Sequence, residues 1–274
     1  MNGYKCVVCI KQVPDTKMVT GEAMKADGTI NRAALPAIFN PEDRNALEAA
    51  LWVKETYGGT VTVITMGLPA AKAVLREAFF CGADRAVLVT DRKAAGSDTL
   101  ATSYILSQAV KKFEPDLVFC GRQAIDGDTA QVGPQIGEKL DCAVVTYLEK
   151  IVGAEDEGEG EGRKRFLTVV RDIGTGIETC RAKLPALFTV TEKFGELRPY
   201  EMRRVMAYKN AEPEVLSCDD IGCEADRCGF AGSPTSVNKI ESVVLAGGEF
   251  KDVPATDEGI SGLVSELIAD HTIG

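Results

Sequence analysis

Residues 116–134 read DLVFCGRQAIDGDTAQVGP and combine a strand pattern, a turn and the start of a helix pattern. Residues 116–120 are a short apolar run typical of a buried strand, and residues 129–140 show a helical pattern interrupted by Gly133 and Pro134. Free N–H groups and the helix dipole at the start of such a helix favour a phosphate, and Gly127 lets the backbone approach it closely. The stretch therefore predicts either a phosphate-binding turn or a tight capped turn without a ligand.

Two carboxylates complicate the phosphate interpretation of this turn. Asp126 and Asp128 would repel a pyrophosphate, so at least one of them is expected to turn away, either to cap the helix or to bind a ribose hydroxyl. The stretch is neither a G-x-G-x-x-G fingerprint nor a P-loop. The pattern alone therefore leaves both readings of the turn open.

The turn belongs to an alternation of strand and helix patterns that runs through the first 150 residues. Further strands are predicted at 4–13, 60–66 and 85–90, and further helices at 70–81 and 97–113. Another helix is expected to begin after Asn40 as N-cap, with Pro41 in its first turn and Asp43 at the capping-box position. Such alternation predicts an α/β fold with a doubly wound, mostly parallel sheet.

The second half of the chain departs from that alternation. Residues 143–152 and 165–171 read as antiparallel partners, joined by a flexible acidic hairpin tip at 153–165, and residues 177–182 and 186–190 as further strands. From residue 193 the chain is polar and irregular, with a final helix at 257–271. We therefore predict a nucleotide-binding domain over 1–192 with a small antiparallel extension, and a partner-seeking arm over 193–274.

Composition excludes several classes of function. The chain has 274 residues and a net charge of −10, which argues against non-specific binding to nucleic acid or to an anionic membrane. No stretch approaches the roughly 20 apolar residues that span a bilayer. The N-terminus runs directly into a predicted strand without a signal peptide pattern, so we expect a cytoplasmic location and no membrane insertion.

The nine cysteines and the single histidine give little support to metal or acid–base chemistry. Cys6 and Cys9 lie three apart in a predicted strand and should point to opposite faces, so they cannot share a metal or a disulfide. Cys218, Cys223 and Cys228 are evenly spaced, but three thiols without a nearby fourth ligand are weak evidence for a metal site. We expect reduced structural thiols, no metal and no catalytic residue in this chain.

In a doubly wound sheet, ligands bind beyond the carboxyl ends of the parallel strands, where several loops converge. Asp98 or its neighbour Ser97 is expected to cap a second helix whose Thr99 and Thr102 lie on one face. Their hydroxyl groups could reach a second phosphate or a ribityl chain, although ordinary capping explains them equally well. Pro14, Asp15 and Thr16 follow the first strand and could reach the same pocket or form a simple turn.

Three stretches resemble the electron-transfer flavoprotein β subunit. They are GRQAIDGDTAQVG at 121–133, NPED at 40–43, and the segment from Gly176 through LPA at 184–186 to LRPY at 197–200, and the resemblance covers residues 4–221 in the family's order. It implies an adenine nucleotide α-hydrolase-like fold and an obligate heterodimer, whose α subunit holds most of an electron-transferring FAD. The β subunit of this family binds its own adenine nucleotide, AMP in simple carriers and a second FAD in electron-bifurcating members.

The resemblance also implies a set of site residues. Besides Pro14, Asp15, Thr16, Asp98, Thr99 and Thr102, the nucleotide site would include Cys9, Asn40, Pro41, Asp43, Met66, Gln123, Ala124, Ile125, Asp126, Gly127, Asp128, Thr129, Ala130, Gln131, Val132 and Gly133. A recognition segment at 196–206 would dock an acyl-CoA dehydrogenase through Leu197, Tyr200 and Met202, with Met202 as the apolar anchor. An incidental packed or exposed methionine is the alternative for Met202.

The motifs at 13–16, 97–102 and GSPT at 232–235 resemble the electron-bifurcating branch, so FAD is favoured over AMP. On that reading NADH would reduce the flavin, and the two electrons would divide between the α-side FAD and a ferredoxin or flavodoxin. The chemistry would belong to the cofactors. The alternatives are a single-FAD carrier with structural AMP that serves acyl-CoA dehydrogenases, and an adenylate-sensing regulatory protein with the same sheet.

Overall fold

The computed structural model describes residues 3–15, 35–158, 164–236, 251–270 and 272–273. The strands are β1 (Tyr4–Cys9), β2 (Gln12–Pro14), β3 (Ala37–Phe39), β4 (Gly59–Met66), β5 (Arg85–Val89), β6 (Leu117–Gly121), β7 (Ala143–Glu157), β8 (Lys164–Asp172), β9 (Ile177–Lys183), β10 (Ala186–Val190) and β11 (Glu214–Leu216). The helices are α1 (Pro41–Tyr57), α2 (Lys72–Cys81), α3 (Thr99–Lys111), α4 (Val132–Lys139), α5 (Met202–Tyr208) and α6 (Asp257–Ala269).

Nine of these strands form one sheet in the order β11-β5-β4-β1-β6-β10-β7-β8-β9. All pairings from β11 to β7 are parallel, whereas β7, β8 and β9 pair in antiparallel fashion. The buried runs of β6 and β10 lie at the centre, as expected for strands covered on both faces. The predicted α/β fold, with a doubly wound, mostly parallel sheet and an antiparallel extension, is confirmed.

Helices cover both faces of the sheet and enclose two apolar cores. Residues of α1 and α2 pack with Cys6 and Val8 on one face, while residues of α3 and α4 pack with Val7 and Cys9 on the other. The predicted opposite orientation of Cys6 and Cys9 is therefore confirmed. The alternation of β1 sends successive side chains into different cores, which fixes the register of the central strand.

The first predicted strand, 4–13, is wrong as a single element. It breaks after Cys9, because β2 leaves the main sheet and pairs with β3 in a separate two-stranded sheet. The break brings Lys11 beside the start of α1, where its carbonyl accepts a hydrogen bond from the backbone N–H of Asn40 at 2.9 Å. This contact between chain segments distant in sequence gives no signal in local periodicity.

The acidic stretch assigned to a hairpin tip begins inside a paired strand. Residues 153–157 of β7 pair with residues 164–168 of β8, so the strands extend into the predicted tip, and residues 159–163 lie outside the described part of the chain. Cationic partners explain the extension, since Arg181 of β9 forms ion pairs with Glu155 at 3.0 Å and with Glu157 at 2.5 Å. These ion pairs reach across β8, which lies between β7 and β9 in the sheet, and they neutralise the acidic end of β7.

The region after residue 193 contains regular structure that the sequence did not predict. β11 forms the edge of the main sheet beside β5, and α5 packs on α2, where the rings of Phe79 and Tyr208 stack at a centroid distance of 4.8 Å. A three-residue strand and a seven-residue helix are too short for periodicity to identify. None of the helices described here is long and apolar enough to cross a bilayer.

Candidate functional site

The start of α1 holds the turn after β6 through three polar side chains, Asn40, Glu42 and Asp43, which we call the α1 clamp. The amide of Asn40 donates to the carbonyl of Gln123 at 2.9 Å and accepts from the backbone N–H of Ile125 at 3.2 Å. Asn40 makes no side-chain cap to its own helix. Asn40 is thus the N-cap residue of α1 by position, as predicted, but its side chain binds the neighbouring turn instead of capping the helix.

The two carboxylates of the α1 clamp also bind the turn after β6 and the end of β1. Glu42 accepts two hydrogen bonds from the guanidinium of Arg122, at 2.7 and 3.1 Å, and a third from the backbone N–H of Gln123 at 3.1 Å. Asp43 accepts the backbone N–H groups of Lys11 at 2.8 Å and Gly121 at 3.1 Å. The predicted capping box at Asp43 is wrong, because both of its oxygens bind strand ends instead.

Asp43 is an unusual carboxyl group, because it lies in the interior where β1 and β6 end. Burial raises its pKa to about 7, although hydrogen bonds from Asn40, Lys11 and Gly121 favour the ionised form. There is no room for a side chain opposite it, because a Cβ on Gly121 would lie 2.4 Å from Asp43 Oδ1. Glycine at 121 therefore permits the contact that locks the two strand ends to α1.

The turn itself contains two residues in the left-handed region of backbone space. Asp128 has a φ of 49° and Ala130 a φ of 53°, and neither is a glycine. Such conformations are uncommon for residues with a Cβ and cluster at ligand sites. They also explain why α4 begins at Val132, three residues later than the predicted start at 129, since a left-handed residue cannot continue a right-handed helix.

This backbone leaves several donors without a partner in the protein. Within the described ranges, no acceptor pairs with the backbone N–H of Thr129, Ala130, Val132 or Gly133. The first N–H groups of a helix lack acceptors within the helix, and successive N–H groups around a left-handed residue form a concave anion-binding surface. The turn can thus supply a cluster of donors to a negatively charged ligand.

A cavity of about 420 Å³ opens at this turn, at the carboxyl edge of the parallel strands. Its walls come from the ends of β1, β4 and β6, from the start of α3 and from the turn. The predicted site residues that line it are Cys9, Asp43, Met66, Asp98, Thr99, Thr102, Gln123, Ala124, Gly127, Asp128, Thr129, Ala130, Gln131, Val132 and Gly133.

The α3 side of the cavity is tied both to the turn and to a distant segment. Thr99 donates its hydroxyl to Gln131 Oε1 at 2.9 Å, which joins the two helix starts. Asp98 caps α3 by accepting the N–H groups of Leu100 and Ala101, and its other oxygen accepts the hydroxyl of Thr235 at 2.8 Å. Although desolvation opposes ionisation, these hydrogen bonds lower the pKa of Asp98.

Six of the predicted site residues do not line the cavity. Asn40, Pro41 and Ile125 do not reach the cavity wall, and the carboxylate of Asp126 turns away to an ion pair with Lys11 at 2.7 Å. Pro14 and Asp15 belong to the β2 segment and also lie off the cavity wall. Thr16 is outside the described residues.

The cavity is also lined by residues outside the predicted set of nucleotide-site residues. They are Ile10, Lys11, Ser97, Leu106, Cys120, Gly121 and Arg122. Ile10 and Cys120 lie at or just beyond strand ends, so the rule that ligands bind at the carboxyl edge could have found them. Leu106 and Arg122 depend on the packing of α3 and on the α1 clamp, which no local pattern reveals.

The predicted docking segment is partly buried. Leu197 belongs to the core and is only 9% exposed, so its side chain is not available to a partner, and its inclusion among the docking residues is wrong. Tyr200 is half-exposed and donates its hydroxyl to Glu77 at 2.9 Å. Met202 and Met206 of α5 are 71% and 62% exposed and form the accessible apolar part of the segment.

A doubly wound sheet with a cavity at its carboxyl edge defines the class, an α/β protein whose ligand site is built from strand–helix turns. A family model described as "Electron transfer flavoprotein domain" matches residues 27–220. The chain is 43% identical over 268 residues to electron transfer flavoprotein subunit beta of Clostridium acetobutylicum, covering 97% of this chain and 99% of that protein.

Two further relatives are similar over most of their length. Identity is 45% over 240 residues with protein FixA of Azorhizobium caulinodans, covering 85% of this chain and 83% of FixA. It is 40% over 272 residues with subunit CarD of the caffeyl-CoA reductase–Etf complex of Acetobacterium woodii, covering 98% and 100%. The chain therefore belongs to the electron transfer flavoprotein family, as a β subunit. Membership implies a role in electron transfer, association with flavin or nucleotide, and an α subunit as partner.

Proposed function

We propose that the cavity binds an adenine nucleotide, FAD, and that the chain serves in flavin-based electron bifurcation. The observation that carries this proposal is that two helix starts, at Val132 of α4 and Thr99 of α3, line one cavity. One helix start suffices for a single phosphate group. A dinucleotide with a ribityl chain and a ring system needs the longer polar wall that the second helix start provides.

The donor set of the cavity fits such a ligand. The backbone N–H groups at 129–133 suit a diphosphate, and the ion pair of Asp126 with Lys11 removes one repelling carboxylate from the wall. Asp128 remains on the wall and accepts a hydrogen bond from Gln123 at 2.9 Å, which suits a ribose hydroxyl better than a phosphate. Thr102 adds a hydroxyl group one turn along α3.

The protein's part in the reaction is to bind and orient. When bound, the flavin would supply the redox chemistry, taking a hydride from NADH and passing electrons to the FAD of the α subunit and to a ferredoxin or flavodoxin. The α1 clamp and the contact between Thr99 and Gln131 hold the two walls of the cavity at a fixed spacing. Such preorganisation sets the distance and orientation of a cofactor without a catalytic acid or base.

Two exposed apolar surfaces support the proposed partners. Met202 and Met206 of α5 offer a flexible apolar contact for an acyl-CoA dehydrogenase or a related enzyme, and CarD is named as a subunit of a complex with a CoA-ester reductase. Ile260, Val264 and Ile268 of α6 are exposed and could pack against the α subunit. Large exposed apolar side chains of this kind commonly mark interaction sites.

The nucleotide content of the heterodimer tests the proposal. The chain would be co-purified with its α subunit, denatured, and its released nucleotides separated and quantified. Two FAD per heterodimer support the proposal. One FAD and one AMP contradict it and favour the conventional carrier that serves acyl-CoA dehydrogenases. Family membership leaves the adenylate-sensing regulatory protein without support.

A further inference from the structure

Three thiol groups meet outside the nucleotide cavity. The sulfur atoms of Cys218, Cys223 and Cys228 all lie within 4.8 Å of one another. Cys218 and Cys228 are buried, Cys223 is half-buried, and all three are free thiols. Among the described residues, this is the only group of three or more Cys, His, Asp or Glu side chains whose ligand atoms converge in this way.

The thiols lie in a segment that has little regular structure of its own. Between the end of β11 and residue 236 the chain forms only short turns, including a single 3-10 turn at Ala225–Arg227. The backbone N–H of Cys223 binds the carbonyl of Cys218 at 2.9 Å, which folds the first two thiols toward each other. A five-residue spacing in such a loop has no helical or strand period to explain why all three side chains point to one place.

We propose that Cys218, Cys223 and Cys228 bind Zn²⁺ as a structural site. Zinc–thiolate bonds of about 2.3 Å in a tetrahedral shell place ligand sulfurs about 3.8 Å apart, so the observed convergence needs only small side-chain rotations. Soft thiolate ligands select zinc over magnesium or calcium, which take oxygen ligands. Water or a donor from a neighbouring chain completes the fourth position, and each ligating thiol gives its proton to solvent.

The position of the cluster explains what the metal would stabilise. Immediately after Cys228, the backbone N–H of Gly229 binds Ser97 Oγ at 3.1 Å, and Ser233 Oγ accepts the N–H of Asp98 at 2.8 Å. Thr235 then binds the carboxylate of Asp98. A metal bound to the three thiolates would fix the segment just before it reaches the start of α3.

Zinc content of matched variants tests the site. The full chain would be purified with its α subunit under reducing conditions, loaded with excess Zn²⁺, desalted and analysed by elemental mass spectrometry. Cys223→Ser removes one ligand, while Cys180→Ser alters a half-buried thiol on β9 outside the cluster. We expect about one zinc per chain in the wild type and in Cys180→Ser, and at least a tenfold lower content in Cys223→Ser.

A measurement on the wild type keeps the test independent of variant folding. Co²⁺ in place of Zn²⁺ should give the intense visible absorption of tetrahedral cobalt thiolate, read at wavelengths where oxidised flavin does not absorb. No zinc in the loaded wild type, equal zinc in Cys223→Ser, or a disulfide between two of the three cysteines in the purified protein would each overturn the proposal. None of these readouts depends on which nucleotide the cavity holds.

Discussion

At the scale of single residues, one position of the cavity wall, Gly121, tolerates no added atom. Gly121 lies where β6 meets the start of α1, and a Cβ there would lie 2.4 Å from Asp43 Oδ1 and 2.7 Å from the backbone carbon of Glu42. Backbone atoms cannot move aside as the end of a flexible side chain can. Gly121 is therefore packed tightly against Asp43, the buried carboxyl group of the site.

Replacement of this glycine should destabilise the protein. We expect Gly121→Ala to lower the free energy of unfolding by about 1–3 kcal/mol through overpacking. Gly153→Ala is the control, because a Cβ at 153 meets no atom within 4 Å. Urea denaturation of the heterodimer, followed by circular dichroism, measures both changes. An equal loss of stability in the two variants would contradict the tight packing of Gly121 against Asp43 and Glu42.

The buried carboxyl of Asp43 predicts a pH dependence of stability. Burial raises its pKa from 3.8 to about 7, so the folded state binds a proton more tightly than the unfolded state. The stabilisation from that proton is fully present below pH 3.8 and is lost as pH rises through 7. Asp43→Asn cannot titrate, so the fall in unfolding free energy between about pH 4 and 7 should be shallower in this variant than in the wild type.

The control for this slope is another carboxylate of the same region. Asp126 forms a partly exposed ion pair with Lys11, and exposed pairs contribute about 0–1 kcal/mol. Asp126→Asn removes a carboxylate of the same turn without touching Asp43, so a change of slope that appears only in Asp43→Asn belongs to Asp43. A slope that is unchanged in Asp43→Asn would show that this carboxyl does not titrate as its burial requires.

At the level of helices and strands, the sequence predicts those elements whose signals lie in residues close together in the chain. The strands β4, β5, β6 and β10 and the helices α1, α2 and α3 follow from apolar runs, caps and glycine stops. The break after Cys9 and the side-chain contacts of Asn40 depend on residues far apart in the chain, so no local pattern could give them. The late start of α4 follows from left-handed residues that only the folded turn reveals.

The cap of α3 offers a prediction at this scale. Asp98→Ala removes two N-terminal hydrogen bonds and the anchor of Thr235, so it should cost about 0.5–2 kcal/mol of stability and also reduce nucleotide retention. Thr256→Ala removes the comparable cap of α6, which accepts the N–H of Gly259. Released nucleotide per protein, measured for both variants, should fall only in Asp98→Ala. A similar loss of nucleotide in Thr256→Ala would contradict the prediction that the α3 cap supports nucleotide binding.

At the scale of the whole molecule, one sheet joins segments that the sequence assigned to separate parts. β11 comes from the region predicted as an arm, yet it forms the edge of the main sheet, and Thr235 of the same region binds the carboxylate of Asp98, a residue of the cavity wall. The cavity residues at 123–133 were predictable because they are contiguous and follow a strand. The contributions of Ser233 and Thr235 were suggested by family resemblance alone, since their contacts cross more than 130 positions in the chain.

The exposed methionines of α5 predict a defect in partner contact. Met202→Lys should lower the rate of electron transfer with the partner dehydrogenase at least severalfold, because a charge replaces the apolar contact. Val215→Lys, on the exposed face of edge strand β11, is the control and should keep the wild-type rate. Nucleotide content should be unchanged in both variants. Equal rates in the wild type and Met202→Lys would exclude this surface from docking.

If the turn at 121–133 presents its peptide N–H groups to a nucleotide, Gly127→Val should change the FAD content of the heterodimer, which is measured for the wild type and for this variant. A Cβ at 127 meets no protein atom within 4 Å, so a valine side chain at this position should leave the fold intact. The same side chain would block the close approach of a ligand to the backbone of the turn. We expect two FAD per heterodimer in the wild type and one in the variant. Two FAD in both proteins would contradict this expectation.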